Sequence, residues 1–183
     1  KKVEHGKTFD RNAANPPAFE IFHNTVTEGY PKHWHTAIEI IMPTRGEYEV
    51  VVGKDSYNLK EGDIIMINSG VVHGMRFVSQ GERIVMLVEP GCVENQEEME
   101  TIFLRLPAIS QKEDEEDPFY LFLRSQILEL VREYDNEGAV MTHRICTGLK
   151  ELFSEFGRKG FSDANAQNTF GAMKQQEYIE AGF

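Results

Sequence analysis

His33, His35 and Glu39, with His73 further along, are the residues of this chain whose types and spacing could do chemistry. Neutral imidazoles and a carboxylate suit Zn, Ni, Fe or Mn, and four such ligands leave positions open on an ion that prefers six. Alternate residues of a β-strand share a face, so His33, His35 and Glu39 would point one way if a single strand ran through them. His73 could then join from a partner strand. Such a cluster is either a divalent metal centre or the polar floor of a ligand pocket. The same alternation places Met75 and Phe77 on the face of His73, and Ala37 and Ile41 on that of Glu39. The candidate effector-binding set is therefore His33, His35, Glu39, His73, Met75 and Phe77, with Met75 and Phe77 equally suited to filling a barrel. Trp34, of opposite parity, should point away.

The elements that must position these residues change period along the chain. Short runs rich in Val, Ile and aromatics occur at Phe19 to Phe22, Ala37 to Met42, Tyr48 to Val52, Ile64 to Ile67, Val71 to Phe77 and Ile84 to Val88. Gly53-Lys54-Asp55, Glu61-Gly62-Asp63 and Asn68-Ser69-Gly70 supply turn chemistry between them. This half predicts an antiparallel sandwich or barrel. After Pro90-Gly91 the spacing becomes helical, with a short helix over 94–106 that Pro107 stops. A row from Tyr120 through Leu123, Ile127 and Leu130 follows, then a second through Met141, Ile145, Leu149, Leu152 and Phe156. The short link Asp135-Asn136-Glu137-Gly138 predicts an antiparallel helical hairpin. The second row has the spacing of a helix-helix seam, which makes those five residues the candidate dimer interface. A polar stretch over 160–172 reads as a linker, and Met173 to Glu180 as the start of another helix.

Composition narrows the function classes. A net charge of -11 with no basic block argues against this polypeptide gripping a phosphate backbone itself. Cys92 and Cys146 have no metal-ligand or disulfide spacing, which suits a reducing compartment. With no long apolar run and no leader at Lys1, the expectation is a soluble, cytoplasmic protein without a membrane partner. The chain offers no GxSxG elbow, no phosphate-cradling glycine loop and no carboxylate pair spaced for acid/base work.

The ligand residues and their flanking glycines resemble the cupin superfamily. His33, His35, Glu39 and Gly46 match its first motif, and Gly62, Gly70 and His73 represent the second, with Asn68 in place of the usual Pro and Phe77 in place of the usual Asn. The resemblance implies a mainly β fold with C-terminal helices: a cupin-type double-stranded β-helix, or jelly-roll, barrel followed by an α-helical hairpin. That order, with the polar stretch and further helix, is similar to the N-terminal effector-binding and dimerisation region of AraC-type transcription regulators. It implies a barrel with its N-terminal arm over 1–91, a helical dimerisation region over 92–159, and a linker leading to a missing DNA-binding domain over 160–183. The expected function is non-enzymatic: sensing a small-molecule effector such as a sugar, as a homodimer, with DNA bound only through a C-terminal domain absent from this chain. No cofactor is required, although the site is compatible with Zn, Ni, Fe or Mn. The alternative is a metal-dependent cupin oxygenase or isomerase using His33, His35, Glu39 and His73.

Overall fold

The computed structural model describes residues 18–25, 29–92, 108–110, 117–136 and 141–164. The apolar runs become strands β1 (Phe19–Asn24), β2 (Tyr30–His33), β3 (Ile38–Arg45), β4 (Tyr48–Val52), β5 (Asp55–Leu59), β6 (Ile64–Ile67), β7 (His73–Phe77), β8 (Glu82–Val88) and β9 (Ala108–Ser110). They form one sheet in the order β1-β8-β3-β6-β9 and a second in the order β2-β7-β4-β5. The fold is a cupin-type barrel, and the region after it contains two helices.

Burial separates the two sheets. Along β3, Ile38, Ile40 and Met42 are buried on one face, and Glu39 and Ile41 on the other, which explains its almost unbroken apolar run. In β4 only Tyr48, Val50 and Val52 are fully buried, and Glu49 and Val51 are half-buried, the alternation of a sheet with one wetter face. Turn chemistry behaves as its residue types dictate. Asp63 accepts the Lys60 backbone N–H through its carboxylate at 2.8 Å and donates its own N–H to the Lys60 carbonyl, closing the turn before β6.

Three strands escaped the apolar pattern. The residues of β2 are all exposed, β5 alternates only weakly, and β9 is too short to show a period. The larger correction concerns the HxH segment. One strand does not run from His33 to Glu39: β2 ends at His33 in one sheet, and β3 begins at Ile38 in the other. The ligands are therefore brought together by the chain's crossing between sheets, not by parity along one strand. After residue 92 the chain returns once to the first sheet, where β9 lies beside β6.

Of the helical region, α1 (Pro118–Asp135) starts on Asp117, whose carboxylate accepts the Phe119 N–H at 3.0 Å, with Pro118 in the first turn. It buries Tyr120, Leu123, Ile127 and Leu130. Then α2 (Met141–Ala164) continues past Gly160, where a linker was expected to begin; one interior Gly costs a helix only about 1 kcal/mol. The two helices pack closely at Gly148, where a Cβ would lie 2.9 Å from Leu130 Cδ2, and Arg144 pairs with Glu133 at 3.0 Å. Ile145, Leu149 and Leu152, expected at a dimer seam, are fully buried within the single chain, whereas Met141 is half-buried. The Phe156 side chain, the helix expected over 94–106 and the one expected over 173–180 lie outside the described residues. No described helix is long and apolar enough to cross a membrane.

The turn at Gly46 tests how tightly the barrel constrains its loops. Gly46 has a φ of 78°, and a Cβ there would lie 2.8 Å from the Gln80 carbonyl, while a Cβ on Gly91 would meet nothing. Gly46→Ala should lower stability by roughly 1–3 kcal/mol in urea unfolding, against less than about 0.5 kcal/mol for Gly91→Ala. Equal midpoints for the two variants would contradict the described loop.

Candidate metal and ligand site

The backbone sets the site before any side chain does. His33, the last residue of β2, sits directly opposite His73, the first of β7. Two backbone hydrogen bonds hold the approaches: Gly70 donates to the His35 carbonyl at 2.7 Å, and Gly53 donates to the Val72 carbonyl at 2.8 Å. Gly70 can do so because its φ of 78° suits glycine. The Lys32 ammonium also donates to the Gly53 carbonyl at 3.0 Å, tying the β4–β5 turn to the strand that carries His33.

His33, His35, Glu39 and His73 each bring one ligand-capable atom to this point, all within 4.8 Å of one another. His35, Glu39 and His73 are buried; His33 stands at the exposed edge. The His33 and His73 ring centres are 4.6 Å apart, and those of His35 and His73 are 4.7 Å apart.

Hydrogen bonding decides which nitrogen each ring presents. Nδ1 of His33 lies 2.9 Å from the Pro31 carbonyl, Nδ1 of His35 2.9 Å from the Ala37 carbonyl, and Nδ1 of His73 2.7 Å from the Val71 carbonyl. A carbonyl oxygen only accepts, so each Nδ1 carries a proton and donates it, and in a neutral ring each Nε2 carries the lone pair. Nε2 of His35 and Nε2 of His73 then stand 2.9 and 2.8 Å from the same oxygen, Glu39 Oε2. Two lone pairs facing a carboxylate oxygen repel one another unless a cation, proton or metal, joins them. Bonds of about 2.0–2.2 Å from an ion put neighbouring ligands roughly 3 Å apart, and Nδ1 donation to a carbonyl is the usual support for a metal-binding imidazole. The residues present therefore fit a divalent ion.

Met75 and Phe77 alternate with His73 along β7 and so share its face. Met75 is buried opposite Tyr30 and Val50, while Phe77, opposite Tyr48, is partly exposed. With Tyr30, Lys32 and Arg76 they line a cavity of about 540 Å³ that the three imidazoles do not line. Trp34, between β2 and β3, is exposed. Sequence reasoning missed Arg83: it is fully buried, with Cζ 5.3 Å from the Tyr30 ring centre and 5.0 Å from that of Tyr48. Its signal was parity with Val85 and Leu87, which a charge at a strand's start ordinarily overrides.

The lone-pair conflict makes a counterintuitive expectation. In chelator-treated protein, Glu39→Gln replaces a repelling oxygen with an amide able to donate to both Nε2 atoms, so it should melt at or above the parent, by up to about 1 kcal/mol of added stability. It should also lose metal affinity. A fall of several degrees would show that a proton on an imidazole already resolves the contact.

Comparison with known proteins places this geometry in a family context. The chain resembles apo ToxT from Vibrio cholerae over 82% of its own length and 58% of that chain, at 14% identity and a TM-score of 0.51. It also resembles a conserved protein of unknown function from Streptococcus pyogenes (18% identity, 39% of this chain and 63% of that one, TM-score 0.36). Bacillus subtilis oxalate decarboxylase is a third (19% identity, 39% and 20%, TM-score 0.34). The chain spans less than two thirds of the length of each. No curated protein sequence matches it. Residues 24–89 match the cupin domain family, and the site described above lies within that cupin domain.

Proposed function

We propose that this chain is the effector-sensing and dimerisation part of an AraC-type transcription regulator, and that His33, His35, Glu39 and His73 hold a divalent metal at the floor of its barrel. The observation that supports the metal is the convergence of two imidazole Nε2 atoms on one Glu39 oxygen, with each Nδ1 already donating to a backbone carbonyl. What supports the regulator is element order. Barrel and helical hairpin follow one another as in ToxT, an AraC-family regulator, and the likeness extends over both parts.

In this reading the protein's own groups do the recognition. Glu39 and the backbone-locked imidazoles hold the ion, which when bound supplies a Lewis-acidic contact for an oxygen of the effector. A small molecule, a sugar or another compact metabolite, then changes how the domain presents its DNA-binding partner only if it binds one arrangement better than another. Homodimerisation would use surfaces other than Ile145, Leu149 and Leu152.

The second reading is a metal-dependent cupin oxygenase or isomerase on the same four residues. His33 at the exposed edge favours it, since it leaves one side of the cluster approachable.

Protein purified without a His tag should contain close to one Zn, Ni, Fe or Mn per chain, and His35→Ala should weaken binding by at least tenfold in a chelator competition. Absence of metal after growth in supplemented medium, together with no uptake in titration, would overturn the metal centre. The downstream codons of the gene should encode a pair of helix-turn-helix motifs. Their absence would overturn the regulator and leave the enzyme reading standing.

A further inference from the structure

The four candidate ligands are not held alike. His35, Glu39 and His73 are buried, at 4, 6 and 2% exposure, whereas His33 is exposed. Backbone pairing fixes the buried three. Glu39 lies in β3 between Ile67 of β6 and Leu87 of β8, His73 lies in β7 between Val52 of β4 and His33, and the His35 carbonyl accepts the Gly70 N–H. His33 instead ends β2, an outer strand of its sheet that among the described strands pairs only with β7. The register of that pairing shifts between Tyr30 and His33, and all four residues of β2 are exposed. Hydrogen bonding divides the imidazoles in the same way. Nε2 of His35 and Nε2 of His73 lie 2.9 and 2.8 Å from Glu39 Oε2, but Nε2 of His33 has no hydrogen-bond partner among the described residues.

From this asymmetry we infer that His35, Glu39 and His73 hold the ion, and that His33 is an exchangeable fourth ligand whose place an oxygen donor of the effector takes. The inference rests on the metal reading above and adds how the site is coupled to the barrel's surface. Two imidazoles and one carboxylate are a sufficient set for Zn or Fe with positions left open. A ligand on a buried strand paired on both sides stays in place when its bond to an ion breaks, because the strand cannot follow it. One at the exposed end of a strand paired on one side can leave with that strand, since such segments open at low local cost. His33 stands at the edge of the cluster, so an incoming donor reaches its place from solvent. An effector that binds only where His33 has left favours the arrangement with β2 released. That difference in affinity is what sensing requires.

The full chain loaded with cobalt(II) tests this with acetohydroxamate, which offers two oxygen donors, and with acetamide as the control. Visible cobalt absorption reports the donor set, and amide hydrogen exchange read by mass spectrometry reports β2. Acetohydroxamate is expected to change the absorption and to speed exchange in β2 at least about threefold, with β3 and β7 no faster than before. Acetamide should do neither. In chelator competition, His33→Ala should lose at least about fivefold less metal affinity than His73→Ala, and in that variant acetohydroxamate should no longer alter exchange in β2. If His73→Ala does not fold, the exchange measurement on the unaltered chain decides the matter. Equal losses of affinity in the two variants, no absorption change with acetohydroxamate, or an absorption change with β2 exchange unaltered would overturn the inference and leave a four-ligand metal centre standing. Failure to take up cobalt at all would overturn the metal reading beneath it as well.

Discussion

One carboxylate oxygen organises the centre of this protein. Glu39 Oε2 receives the Nε2 atoms of His35 and His73 at 2.9 and 2.8 Å, and the two histidines reach it from different parts of the barrel. Glu39 belongs to the five-stranded sheet, and His73 to the four-stranded one. The contact thus joins the sheets at a buried polar point surrounded by Ile, Val and Met. Buried polar groups are tolerable only when each is satisfied, and three Nδ1 protons donated to the Pro31, Ala37 and Val71 carbonyls satisfy one side of each ring. The other side is left to a cation. Stability of the barrel and chemistry at the site are for this reason the same question.

The rest of the barrel can be understood as support for that point. Gly70 holds the loop before His73 against the His35 carbonyl, and Gly53 holds the same loop from the β4–β5 turn. These constraints are backbone ones, so the imidazoles are positioned by strand register rather than by long flexible side chains. Arg83 is the complementary case. Its side chain is fully buried with the Tyr30 and Tyr48 rings against it, where a charge is costly unless paired or stacked.

Legibility in the sequence varied by element for identifiable reasons. The strands β3, β4, β6 and β8 and the helix α1 were readable because burial imposes a period on their residues. No such imprint exists for β2, whose side chains are all exposed, or for β9 with three residues. The ligand set was readable for another reason: His and Glu are few and their chemistry is specific. Its geometry was read incorrectly, since the presumed single strand from His33 to Glu39 is broken by the crossing between sheets. The Met141 to Phe156 row carries a different kind of information. A helical stripe reports that a face is buried and not what buries it, and Ile145, Leu149 and Leu152 are already buried in their own chain.

Residue identity and local spacing alone determined the β-then-α order, the turn glycines and the four residues able to bind a metal. Each of these depends on near neighbours in the chain. The tertiary structure decided which imidazole nitrogen faces inward, that two Nε2 atoms meet one carboxylate oxygen, and that Arg83 lies against two tyrosine rings. Those facts depend on the pairing of β2 with β7 and of β3 with β8, between segments remote in sequence. Such register is a balance of contacts over the whole barrel, and no local pattern of residues carries it.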